Sequence, residues 1–152
     1  MSEKLLKVVD VDAYFTPPPH IVPILQCTLE DGRVFNLYSV PGEVVFAINR
    51  IKGVNVENNR ETIFEILPLF NSDLKDLGKR IDKVVIDEID ESTQLYTAKI
   101  YIKGDGFIIS KKMVPSHAIF LAYLVDIPIY ISEELVVKQI ELEAENEDLD
   151  EE

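Results

Sequence analysis

Residues 113–132, MVPSHAIFLAYLVDIPIYIS, carry one ionised side chain, Asp126. From Ala118 to Val125 the run is apolar on every side. A helix of that kind has no polar face to turn to water and must be enclosed by other elements. Pro115 suits the first turn, where its missing N–H would be unpaired anyway. Asp126 and Pro128 end the helix, because the residue before a proline leaves the helical region. Ile129, Tyr130 and Ile131 then read as a short buried strand. The rest of the chain is expected to wrap this segment.

The wrapping elements can be read in order. Residues 5–15 and 21–29 read as strands separated by Thr16-Pro17-Pro18-Pro19-His20, a loop whose prolines fix φ and remove donors. Asp31-Gly32 is a hairpin signal, and residues 34–39 return as a third strand. Val44, Ala47, Ile48 and Ile51 fall on one helical stripe, which predicts a helix over 43–51 with Gly53 beyond its end. Residues 55–60 form a polar connection. A second helix over 61–77 must kink or break at Pro68. Strands at 81–89, 95–103 and 107–110 make a meander. The central helix, its short strand and a last helix over 133–144 complete the chain. Strands and helices in blocks predict an α+β fold: a single domain with a mixed or antiparallel β-sheet and about four helices.

Charge is unevenly placed. From Glu133 onward there are ten acidic residues against one lysine, which supplies −9 of the net −13. Residues 1–144 are expected to form the domain and 145–152 an acidic, disordered tail. Such a tail serves solubility, or mimics nucleic acid in a basic groove. This balance argues against binding nucleic acid through bulk charge, since neutralising phosphates needs clustered Lys and Arg. No apolar run is long enough to span a bilayer without a charge. The start, MSEKLLKVV, has no signal-peptide layout. Cys27, the single cysteine, permits no internal disulfide, so a cytoplasmic setting with no membrane partner is expected.

Few residue patterns announce chemistry. The chain has no Gly-rich phosphate loop, CxxC pair, HExxH or nucleophile elbow. Asp10 and Asp12, two apart on a strand, share one face. They could hold a divalent metal, or form the solvated side of an edge strand. Cys27 reads as a small core residue, His20 as exposed. Glu43 falls in the first turn of a helix, where a carboxylate interacts well with the helix dipole.

The central run also resembles a known family. Val114-Pro115-Ser116-His117-Ala118-Ile119 with Leu121-Ala122, followed by Ile127-Pro128-Ile129 and then Glu133-Glu134, resembles the bifunctional nuclease domain family. That family has Arg-Pro-Ser-Asp-Ala-Ile-x-Leu-Ala and then Ala-Pro-Ile-x-Val-x-Glu-Glu. Phe35 to Glu43 resembles its Leu-Pro-Ile-x-Ile-Gly-x-x-Glu segment. The acidic turn of the meander followed by Tyr96-Thr97-Ala98-Lys99 also fits, so the resemblance runs in order over about residues 5–140. It implies an α+β domain that forms homodimers and degrades DNA and RNA. This chain departs at three points: Val114 stands for the family's arginine, His117 for its aspartate, and Thr62-Ile63-Phe64-Glu65 lacks its His-Asp pair.

Two functional classes follow. The first is a nuclease-like hydrolase using Glu43, Ser116 and His117 around the central helix's start, with a divalent metal such as Mg²⁺ or Mn²⁺ as its cofactor. The helix terminus would bind phosphate through backbone N–H groups, and His117 would replace the lost aspartate as base. The second is a catalytically inactive, dimeric binding or regulatory module. The missing arginine, a natural phosphate clamp, favours the second.

Overall fold

The computed structural model describes residues 4–38, 40–54 and 62–150. The first three residues, Ser39, the expected connection at 55–60, Glu61 and the last two residues lie outside the described residues. The strands are β1 (Leu5–Phe15), β2 (Pro23–Leu29), β3 (Val34–Leu37), β4 (Ile81–Asp90), β5 (Leu95–Gly104), β6 (Phe107–Met113) and β7 (Ile129–Ser132). They form one mixed sheet in the order β3-β2-β1-β7-β4-β5-β6. The β4–β7 pair is parallel and the remaining pairs are antiparallel. The helices are α1 (Gly42–Ile51), α2 (Ile63–Ile66), α3 (Asn71–Gly78), α4 (Pro115–Val125) and α5 (Glu133–Asp150). This is the α+β single domain expected. Counting α2 and α3 as one interrupted helix gives the expected four.

Local chemistry explains the boundaries. Pro68 sits in a 3₁₀ turn, Leu67–Phe70, that separates α2 from α3. Pro115 is the first residue of α4, and Asp126 ends it in the left-handed conformation at φ 57°. In the first hairpin Leu29 O accepts from Gly32 N, and Gly32 takes φ 90°, a conformation glycine adopts without strain. β6 continues three residues past the expected end, because residues 111–113 still pair with residues 98–100 of β5. The last helix is drawn to Asp150 rather than to Ala144.

α4 is the enclosed element. Ala118 and Ile119 have no exposed surface and Ala122 has 1%. Val84, Ile86, Ala98 and Ile131 of the sheet share its core, as do Val44 and Ile48 of α1. The sheet is strongly curled. In a flat sheet, β3 and β5 would lie five strand spacings apart, about 24 Å. The rings of Phe35 on β3 and Tyr96 on β5 are instead 4.9 Å apart. The sheet is thus a partly closed barrel with a seam between β3 and the β5–β6 side, and α5 lies along that seam.

Free strand edges are covered by side chains. β1 pairs with β7 only over residues 5–7, so its edge is unpaired beyond them. There Asn49 Nδ2 donates to Ala13 O at 3.0 Å, and Lys52 Nζ donates to Val11 O. Lys52 Nζ also lies 3.5 Å from Asp10 and 3.3 Å from Asp12. An ammonium group therefore occupies the cation position that this aspartate pair offers. Burial works against that ammonium. The hydrogen bond to Asp12 and the charge of Asp10 outweigh it and hold its pKa above the usual value.

Gly78 is a point of close approach. A Cβ built there would lie 2.9 Å from both the Cβ and the carbonyl oxygen of Val125, at the end of α4. Backbone oxygen cannot swing away as a side chain can. Gly78→Ala is expected to lower stability by about 1–3 kcal/mol through overpacking, read as a reduced urea midpoint with an unchanged m value.

Candidate functional site

A groove of 780 Å³ opens where the barrel fails to close. One wall is Leu37 and Tyr38 at the end of β3, with Val40 just beyond. The facing wall is the start of β5, including Leu95 and Tyr96, and the turn before it. Met113, Val114, Pro115 and Ser116 make the floor, so the first turn of α4 faces into the groove. β6 pairs with β5 only as far as Ala98, which leaves Leu95 to Thr97 without a strand on that side.

Gln139 of α5 holds the seam. It is 6% exposed. Its Oε1 accepts from Asn36 N at 2.8 Å and its Nε2 donates to Asn36 O at 2.8 Å. One side-chain amide thus satisfies both backbone groups of Asn36 as a neighbouring strand would. The same Nε2 donates to the Tyr96 hydroxyl at 3.4 Å, tying β3 to β5. Tyr38 donates to Glu143 of α5 at 2.8 Å. Burial, reinforced by that carboxylate, pushes the Tyr38 pKa up to about 12. Both tyrosines of the groove are therefore neutral, with Tyr96 also raised by burial.

The charges around the groove are internally compensated. Asp90 accepts from the hydroxyl and N–H of Ser92 and from Thr93 N, and these bonds hold its pKa low. Lys112 lies 3.3 Å from Glu88, which also meets Lys99 at 3.0 Å. The Lys99 bond, and then the Lys112 bond, depress the Glu88 pKa.

The three residues singled out from the sequence fall in different surroundings. Ser116 is 2% exposed and lines the groove, and its hydroxyl has no hydrogen-bond partner. His117 is half-buried and turned toward α2, with its ring 5.1 Å from that of Phe64. Successive helical residues point about 100° apart, which separates the two side chains. Glu43 is exposed in the first turn of α1, three residues past the groove-lining Val40. No hydrogen bond or ion pair joins the three. Among the described residues no three His, Cys, Asp or Glu side chains gather as a metal-ligand set. Cys27 is fully buried, and burial pushes its thiol up to about 12, which makes it an inert core residue. His20 is exposed.

Sequence reasoning passed over Tyr38, Tyr96 and Gln139. A signal existed for the last. Leu135 and Gln139 are one helical turn apart, and both are buried. An amide on an otherwise apolar inward stripe needs a partner.

The family model for the bifunctional nuclease domain matches residues 50–144, more than half of the chain. The match includes Ser116, His117 and the β5–α4 side of the groove. Glu43 and the β3 wall precede it. No curated protein matches the chain closely enough to add to this. No helix among the described residues is long and apolar enough to cross a membrane.

Two outcomes are expected from this geometry. Gln139→Ala strands both backbone groups of Asn36 and should cost about 1–3 kcal/mol in chemical denaturation. The pH response has a definite sign. The Glu88 pKa lies lower in the folded state than the ordinary 4.5, so its contribution is present above that value and lost as pH falls through the folded one. Glu88→Gln should flatten part of the fall in Tm below about pH 4.5. Asp31, Asp90 and Glu133 are depressed likewise and contribute to the same fall.

Proposed function

This chain belongs to the bifunctional nuclease domain family, and from that premise we propose that it acts as a dimeric binding module whose hydrolytic centre is not assembled. The separation of Ser116, His117 and Glu43 carries this reading. A serine nucleophile needs a base within hydrogen-bond reach, and the Ser116 hydroxyl has no hydrogen-bond partner. His117, the nearest candidate base, faces an aromatic ring instead. Val114, where the family has arginine, is an apolar residue of the groove floor, about half exposed. What remains is a shaped groove with uncharged tyrosines and one helix start, an arrangement that binds rather than cleaves.

The dimer half of the reading rests on β6. The other end of the sheet, β3, is covered by α5, whereas β6 is an edge strand with Phe107, Ile108 and Ile109 between 42% and 61% exposed. An exposed apolar edge is a template for another strand, and a second copy of the chain brings the same edge to meet it.

Incubation of labelled single-stranded DNA and RNA with the protein and Mg²⁺ or Mn²⁺ is expected to give no cleavage above a protein-free blank. A metal-dependent rate that disappears in His117→Ala would overturn the proposal and restore the hydrolase. Light scattering at micromolar concentration should report a dimer, and Ile108→Lys should shift it to monomer with the circular dichroism spectrum unchanged. A wild-type monomer would remove the dimer half alone.

A further inference from the structure

We propose that the groove takes a small amphipathic anion, with an apolar or aromatic body against Tyr38, Leu95, Tyr96 and Met113 and a carboxylate or phosphate oxygen held by Ser116 and the first turn of α4. This rests on reading the groove as a binding site. Two independent observations point to the anion. The first is the helix start. The residue capping α4, Val114, supplies no side-chain bond, and Pro115 has no N–H. The N–H groups of Ser116 and His117 precede the first intrahelical bond, made by Ala118 N to Val114 O. Such donors, with the helix dipole behind them, favour an oxyanion. The second is the Ser116 hydroxyl, in a groove-lining residue at 2% exposure and without any partner. A buried hydroxyl left unpaired costs stability, and a ligand oxygen would remove that cost. The apolar requirement comes from the walls. Leucine, valine, methionine and two neutral tyrosines outnumber the polar groups, and 780 Å³ lies within the range of small-molecule sites. The Asp90 carboxylate is satisfied within its own turn and Lys112 is matched by Glu88. The fixed attraction for an anion therefore comes from α4.

The test uses three probes on the ¹⁵N-labelled full chain: phenyl phosphate, 4-phenylbutyrate and the neutral 4-phenylbutan-1-ol, with inorganic phosphate alone as a fourth. The anionic aromatic probes should shift the Ser116 and His117 amides saturably. The neutral alcohol should bind about tenfold or more weaker, the loss of one charge-assisted contact, and phosphate alone should also be weaker for want of the apolar body. Comparing the first two probes distinguishes phosphate from carboxylate as the preferred headgroup. Ser116→Ala should weaken the anions about tenfold while the ligand-free Tm holds or rises, because the substitution deletes an unsatisfied buried hydroxyl. A merely structural serine would show the opposite pattern, a lower Tm with unchanged affinity. Leu95→Glu, at a half-exposed position, places a repelling charge in the groove and should weaken the anions more than the alcohol. The inference fails if neither anion saturates, if the alcohol binds as tightly as the anions, or if both variants bind as wild type. Such a failure without oligonucleotide cleavage leaves the binding-module reading standing, whereas cleavage removes that reading whatever the groove binds.

Discussion

Enclosing α4 is the constraint on which the structure depends. An eleven-residue helix that is apolar on all sides can be stable only where water is excluded around its whole circumference. A flat sheet covers one side of a helix. Here β4 and β5 lie against one side of α4, and α1 and α3 pack on the rest. The curl brings Phe35 to Tyr96, and the incomplete closure leaves the seam that becomes the groove. Fold and candidate site are thus linked: the groove is the gap where the curled sheet fails to close.

A curled but unclosed sheet retains edges, and this chain treats them individually. Asn49 of α1 and Lys52 just past its end serve the unpaired carbonyls of β1, and the Gln139 amide serves both groups of Asn36. These devices keep edge strands from recruiting foreign strands. They also fix the two walls of the groove, because Gln139 joins β3 to Tyr96 of β5. Among the described residues, β6 has no such cover.

Most elements were legible in the sequence, because each is announced by a local pattern. Asp31-Gly32 set the hairpin, Pro68 the break between α2 and α3, and Asp126 with Pro128 the end of α4. The curl was not legible, since it is a collective property of the sheet and no single strand records it. Lys52 stands some forty residues from the aspartates it neutralises, and Gln139 over a hundred from Asn36. Pairings at that distance leave no mark in periodicity. The candidate site was legible in part. Ser116 does line the groove, but reading Ser116 and His117 as one motif neglected the turn of the helix between them. Sequence neighbours are poor guides to spatial neighbours on a helix, where residues three or four apart share a face.

The place of β7 in the sheet has a consequence for how the molecule is made. β7 lies between β1 and β4, joining residues 5–7 to residues 84–86, yet it comes from residues 129–132. The ribosome therefore releases two half-sheets, each with a bare inner edge, before it releases the strand that joins them. At ordinary elongation rates this interval lasts about 1–4 s, longer than hairpins need to form. During it the early hairpins also await Arg33's partner Glu133 and Asn36's partner Gln139. Acquisition of the native sheet is thus a late, concerted event in the life of the nascent chain, and one strand of four residues acts as its keystone.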